Sequence, residues 1–309
     1  MWRHSIGFAV LSTFLAASAA APQQQVVRTA DPLERGLKVS DFPRTIKVAD
    51  NVYTYEDFHA GPEKFTTTNL FVVTDEGVLV ADGQGSAAET KGLVAAVGAV
   101  TTRPIKYVVV CSDHGDHTAG NEAFPADVTY IIHPTAKATL ERSPNGWKPP
   151  ASAVLVAETR SLTLGSETID VLFLGRAHTG GDLAVSLPRR RILFLSEIYL
   201  NRVFPAMRSA YPSEWVKTLD RANAIKPDLY VAGHGFTEEA RVSEEEFQAH
   251  RRALAAVIAE ATRLHRAGVP VDDAVKQANW GEYASWTLAA SQGPIAVRKV
   301  YEELDGKLK

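Results

Sequence analysis

The chain has 309 residues, with 33 Lys+Arg against 36 Asp+Glu, a formal charge of −3, and 45% hydrophobic and 22% charged residues. That length holds one large α/β domain or two small ones, and the composition excludes a disordered chain. So near-neutral a balance gives no reason to expect a nucleic-acid partner, and a single cysteine, Cys111, excludes an internal disulfide and a cysteine-rich zinc cluster.

Residues 1–20 read as a secretory signal peptide. Arg3 and His4 precede an apolar run over 6–17, and Ala17-Ser18-Ala19 has the small-x-small form of a cleavage site. The run falls short of the roughly 20 residues a spanning helix needs, which argues against a membrane anchor. The expected location is therefore periplasmic or extracellular, with no membrane association after cleavage. Residues 21–44 are polar and carry Pro22, Pro32 and Pro43, the composition of a linker or an extended N-terminal arm.

From Thr45 onward, short β-like runs alternate with helical patterns. Strands are predicted at 52–55, 70–74 and 78–81, the last two joined by the hairpin signal Asp75-Glu76-Gly77. A helix is predicted over 86–101, with Leu93, Val94 and Val97 on one face. The near-continuous apolar run 105–110 marks a strand buried on both faces. Further strands are predicted at 128–132, 169–174, 183–187, 192–195 and 229–232, with helices at 134–142 and 213–225. A long amphipathic helix is predicted over 243–267, with Ser243 as its N-cap, Glu246 three residues on, and Gly268-Val269-Pro270 as its stop. The tail beyond Val271, with Trp280, Tyr283 and Trp286, reads as a small helical cap. The pattern as a whole predicts layered sheets covered by helices.

The chemistry concentrates in Cys111-Ser112-Asp113-His114-Gly115-Asp116-His117-Thr118-Ala119-Gly120-Asn121, which directly follows the most apolar strand. Loops at the carboxyl ends of buried strands are where α/β proteins place their sites. His114, Asp116 and His117 form a zinc-type ligand set within four residues. Three more candidates follow at strand ends: His178 in Ala177-His178-Thr179-Gly180-Gly181-Asp182, Glu197 in Leu195-Ser196-Glu197, and His234 in Gly233-His234-Gly235.

These four elements, in this order, resemble the motifs of the metallo-β-lactamase superfamily: H-x-H-x-D-H, a His in an H-T-x-G-D context, an acidic residue after L-F-x-G, and a His in G-H-G. The resemblance spans roughly residues 45–236. It implies an α/β fold, an αββα sandwich of two mixed sheets flanked by helices with the metals at one edge. It places the domain at 45–242, with a C-terminal helical extension over 243–309. It also implies His114, Asp116, His117, His178, Glu197 and His234 as metal ligands, and one or two zinc ions, with the site of Asp116, His117 and His234 favoured.

Two positions depart from the pattern. Ser112 stands where the first motif histidine belongs, and a serine oxygen is a poor, usually protonated ligand. Asp113 is an alternative donor, although in an extended segment it points opposite to 112 and 114. Glu197 stands where the family carries a bridging Asp, and the extra methylene displaces the carboxylate by about 1.5 Å.

The function so implied is an exported zinc-dependent hydrolase, β-lactamase-like in kind. A metal-bound hydroxide would attack an ester, lactone, thioester or lactam bond of a small-molecule substrate, with Asp116 as an alternative catalytic base. Two other readings stay open: a catalytically impaired binding protein of the same fold, and a mononuclear iron oxygenase. Phe58 and Phe65, in the 57–68 segment with His59, are candidate substrate contacts. His133 reads as structural, Cys111 as core, and His250 and His265 as surface residues of the long helix. Arg189-Arg190-Arg191 reads as a solvated turn, and Gly115, Gly120 and Gly180 as backbone requirements of a crowded metal loop.

Overall fold

A computed structural model describes residues 1–2, 27–59 and 65–308. The predicted signal peptide and the tip of the 57–68 segment lie largely outside the described residues, as does the His59 side chain.

The first sheet runs in the order of the chain. β1 (Arg44–Ala49), β2 (Val52–His59), β3 (Phe65–Val73) and β4 (Val78–Ala81) are antiparallel neighbours. The chain then crosses through α1 (Ala87–Val100) to β5 (Ile105–Val110), which pairs parallel with β4. The short α2 (Gly115–Thr118) follows. β6 (Thr129–Ile132), α3 (Pro134–Arg142) and β7 (Val154–Leu155) complete seven strands. The second sheet holds β8 (Thr159–Leu164), β9 (Glu167–Leu172), β10 (Ala184–Leu187), β11 (Ile192–Phe194) and, after α4 (Pro212–Ile225), β12 (Leu229–Val231), in the order β12-β11-β10-β9-β8. Only the β11–β12 pair is parallel there, so both sheets are mixed. α5 (Ala240–Arg266), α6 (Val271–Gln277) and α7 (Ala289–Leu304) form the C-terminal extension.

The layers follow from alternation along the strands. Leu70, Val72, Leu79 and Val109 from the first sheet meet Ile169, Val171, Val185 and Phe194 from the second, and all are buried. The opposite face of the first sheet, including Phe71, Val80 and Val108, packs on Leu93 and Val97 of α1 and Leu140 of α3. The opposite face of the second, including Leu193 and Tyr230, packs on Trp215 of α4 and Phe247 and Val257 of α5. The result is the expected αββα sandwich. β5 lies mid-sheet between two parallel partners, which is why its sequence is almost wholly apolar.

Two local expectations are corrected. The long helix starts at Ala240, three residues before Ser243. Ser243 is buried inside it, and its hydroxyl accepts from the Tyr230 backbone N–H. His250 is not a surface residue: it is fully buried between Tyr199 and Trp215, with ring centroids 5.7 Å from each. Periodicity alone could not show this, because α4 covers a face of α5 that the sequence leaves polar. The arm from residue 27 is packed on the domain. Thr29 and Ala30 are buried, and Arg35 pairs with Glu238 at 2.6 Å. His133 is structural as expected, accepting from the Thr135 N–H at the start of α3 and stacking on Phe173. No helix of the described residues is long and apolar enough to cross a membrane.

Candidate metal centre

All six sequence-predicted ligands converge at one edge of the sandwich, on segments that leave the ends of strands. After β5, the backbone N–H groups of Cys111 and Ser112 donate to Asp82 Oδ1 (2.7 and 3.4 Å), which turns the chain into α2 with Asp116 and His117. The loop after β9 brings His178. A 3₁₀ turn after β11, Ser196–Ile198, brings Glu197. His234 follows β12 and is tied by isolated bridges to Thr67 and Leu200.

The donors form two groups that share Glu197: Asp116, His117, Glu197 and His234, and His114, His178 and Glu197. In the first, His234 Nε2 lies 3.2 Å from Asp116 Oδ2, 3.3 Å from Glu197 Oε1 and 3.2 Å from His117 Nε2. His234 Nδ1 sits 3.0 Å from the Thr66 carbonyl, which only accepts, so Nδ1 carries the proton. His117 Nδ1 lies 3.2 Å from Asp82 Oδ2, close but poorly aligned, and its proton belongs on that side too. The two Nε2 lone pairs therefore face each other at hydrogen-bond distance with two carboxylates beside them. Such an arrangement calls for a cation between the donors, and acceptors behind the rings are what orient metal-ligating histidines. In the second group, His178 Nε2 and His114 Nδ1 each lie 3.0 Å from Glu197 and 3.1 Å from one another. The extra methylene of Glu197 thus does not prevent a bridging position, since Oε1 reaches both groups.

The electrostatics agree. Burial disfavours a charged His234, but its hydrogen bonds to Asp116 and Glu197 and their charges outweigh it and raise the ring to about 10. For His114, burial is likewise outweighed by Glu197, and the ring rises to about 9. Glu197 and Asp116 are held below the usual carboxylate range: burial opposes this, but the neighbouring histidines prevail. A field that favours protons on these rings also favours a divalent cation, and the two compete.

No family model matches the chain. It is 23% identical over 203 residues to metallo-β-lactamase IND-1 of Chryseobacterium indologenes, covering 64% of this chain and 84% of that protein. It is 23% identical over 191 residues to a type 2 metallo-β-lactamase of Bacillus cereus, covering 60% of this chain and 72% of the relative. A metallo-β-lactamase structure from Pontibacter korlensis superposes with a TM-score of 0.62 at 19% identity, over 69% of this chain and 98% of that one. The chain belongs to the metallo-β-lactamase superfamily.

Ser112 and Glu197, the two residues that the sequence reading sets apart from the motif, are in contact. The Ser112 hydroxyl donates to Glu197 Oε2 and accepts from the His114 N–H at 3.2 Å. Asp113 belongs to neither donor group, as the extended-chain parity predicts. Burial, partly offset by the charge of His114, raises its carboxyl to about 6. Of the three loop glycines, Gly120 is indispensable, since a Cβ there would meet the Ser86 carbonyl at 2.1 Å, whereas Gly115 has open space around it.

A cavity of about 300 Å³ opens over the centre, lined by His114, Asp116, His178 and His234. Phe65 is in its wall, edge-on to His234 with ring centroids 4.8 Å apart. Phe58 is not in that wall and packs on Phe42 at 5.5 Å. Sequence reasoning missed Asp82, which holds both the Cys111–Ser112 turn and the His117 ring. Its signal was available: an acidic residue directly after a buried strand, followed by glycine. It also missed the C-terminal contribution to the cavity, Leu288, Gln292 and Ile295, because nothing local marks a residue that meets a site built from distant upstream segments.

Proposed function

We propose that this chain is a zinc-dependent hydrolase acting on an ester, lactone, thioester or lactam bond of a small molecule, and that it is exported with residues 1–20 removed. The observation that carries this reading is the group of Asp116, His117, Glu197 and His234, with opposed Nε2 lone pairs, at the floor of a cavity of small-molecule size. The names of the relatives put lactams in the panel of candidate bonds.

Asp116, His117, His234 and Glu197 would hold the favoured ion, and His114 and His178 with Glu197 a second. A bound zinc ion supplies Lewis acidity and a water acidic enough to react near neutral pH. The chain supplies the rest. Thr66 and Asp82 fix the His234 and His117 tautomers, so both rings present Nε2. The Asp116 side chain is about one-third exposed and lines the cavity. Its carboxylate is placed to accept a hydrogen bond from the attacking water and orient it. Phe65 covers His234 and keeps bulk water from that ring.

The decisive experiment is elemental analysis of protein purified without chelators, followed by hydrolysis assays over those four bond types. Bound zinc with turnover of at least one class, abolished by chelation, is the expected result. Protein that binds no metal under any condition overturns the proposal. Intact-mass measurement of exported material tests the leader, and a full-length species in a membrane fraction would make residues 1–20 an anchor.

A further inference from the structure

The histidines of the metal centre are not all mounted the same way. His234 and His117 turn Nε2 inward and set Nδ1 against the Thr66 carbonyl and Asp82. His114 is reversed. Its Nδ1 faces Glu197 at 3.0 Å and His178 Nε2 at 3.1 Å, and its Nε2 points outward to the Ser209 hydroxyl at 3.2 Å. A ring that offers the Nδ1 lone pair inward carries its proton on Nε2, so that N–H donates to Ser209 Oγ. Turning the ring over about its Cβ–Cγ bond exchanges each nitrogen for a carbon. It would remove the inward ligand atom and the outward hydrogen bond together. The contact with Ser209 therefore selects the orientation in which His114 can hold an ion.

Ser209 is exposed, yet its place is fixed by its neighbours. It sits in the turn Met207–Ala210, which the Ala210 N–H closes by donating to the Met207 carbonyl at 3.1 Å. Both ends of that turn are fully buried. Upstream, the Phe204 N–H donates to the Thr287 carbonyl at 2.8 Å. Downstream, the Tyr211 N–H donates at 2.9 Å to the carbonyl of Ala177, the residue before His178. One anchored turn thus meets both histidines of the second donor group, His114 through a side chain and His178 through the backbone. A hydroxyl presented from so fixed a backbone costs little entropy to hold in place, which is what a partner behind a metal ligand requires.

We propose that Ser209 is a positioning residue of the second metal site: its hydroxyl holds His114 with Nδ1 turned to Glu197, and so sets how tightly that site keeps its ion. The favoured ion, at Asp116, His117 and His234, is independent of it, because His114 belongs to the other group alone. The turn 207–210 then governs whether the centre works with one ion or two. The inference rests on the hydrolase reading for the presence of metal, but not for the orientation of the ring.

The test titrates zinc into the full metal-free protein against a chromogenic chelator, for the wild type, Ser209→Ala and Ser209→Thr. Nitrogen-15 NMR of the histidine rings is recorded alongside, with and without zinc. Ser209→Ala should weaken the second ion by about tenfold and leave the first within about twofold. The exchange-protected Nε2–H signal of His114 should be present in the wild type and lost in Ser209→Ala. Ser209→Thr, which keeps the hydroxyl, should restore both. An exposed side chain carries little of the fold, so the melting temperature of the metal-free variants should match the wild type. A second ion held equally well by Ser209→Ala overturns the proposal. So does an equal loss at both ions, since Ser209 would then act on the centre as a whole. A wild type that takes up one ion and no second, even in excess zinc, also overturns it and leaves the hydrolase reading standing. Protein that takes up no zinc sinks the hydrolase reading instead. The ring signal of the metal-free protein then decides this assignment alone, and its persistence in Ser209→Ala would end it.

Discussion

The Ser112 hydroxyl donates to the Glu197 carboxylate across the metal centre, with both groups buried. These are the two positions that the sequence reading sets apart from the motif, and they touch. The longer carboxylate reaches toward the space that a histidine at 112 would fill, and the serine gives it a proton donor.

The two departures should therefore behave as a pair. Ser112→His alone crowds an imidazole against Glu197, so it should lose metal and activity. Glu197→Asp alone withdraws the carboxylate from Ser112. The double substitution Ser112→His with Glu197→Asp should recover metal content, with a coupling on the order of 1–3 kcal/mol. Metal content and stability of the two single variants and the double variant check this. Additive losses would show that the contact is incidental.

The fold and the ligand set were largely legible because both rest on local signals. Apolar runs such as 105–110 and the hairpin at 75–77 report their own structure, and six ligands sit in short motifs at strand ends. What was not legible depends on contacts between distant segments. The burial of His250 needs α4, the tautomer of His234 needs the Thr66 carbonyl, and the place of Leu288 in the cavity wall goes with the bridge from Val203 to Thr287. Ser112 and Glu197 were each visible as oddities. Their relationship was not, because they are 85 positions apart.

Asp82 carries a further prediction. One oxygen takes the Cys111 and Ser112 N–H groups, and the other lies beside His117 Nδ1 and accepts from the Ser196 hydroxyl at 2.5 Å. Asp82→Ala should lower zinc affinity by about 10–100-fold without removing a ligand. It should also destabilise the metal-free protein by roughly 1–3 kcal/mol, because buried donors lose their acceptor. Competition with a chromogenic chelator reads the first effect and urea unfolding the second. Unchanged zinc affinity would mean that His117 is oriented by something else.

Stoichiometry follows from the donor counts. The group around His234 has four donors and the group around His114 has three, one of them shared. About one zinc equivalent should survive dialysis, with any second bound more weakly. Asp116→Ala and His234→Ala should each release the retained ion, and His178→Ala should leave it. Elemental analysis of the wild type showing two equivalents after dialysis would overturn this ranking.

The buried His250 gives a pH dependence away from the metal centre. Burial, reinforced by the nearby His178, lowers its ring to about 3, against 6.5 as its ordinary value. A histidine with a depressed folded pKa is neutral in the native state. Its contribution is intact above about 6.5 and is lost as the unfolded chain takes up a proton below that, at up to about 1.4 kcal/mol per pH unit until the native ring titrates. The metal-free protein should therefore lose stability between about pH 6 and pH 4 more steeply than a His250→Phe variant, whatever that substitution does to stability at neutral pH. The histidines of the metal centre titrate in both proteins, so the difference between the two curves isolates His250. Urea midpoints across that range provide the measurement. Parallel curves would show that His250 is as readily protonated in the native protein as in the unfolded chain.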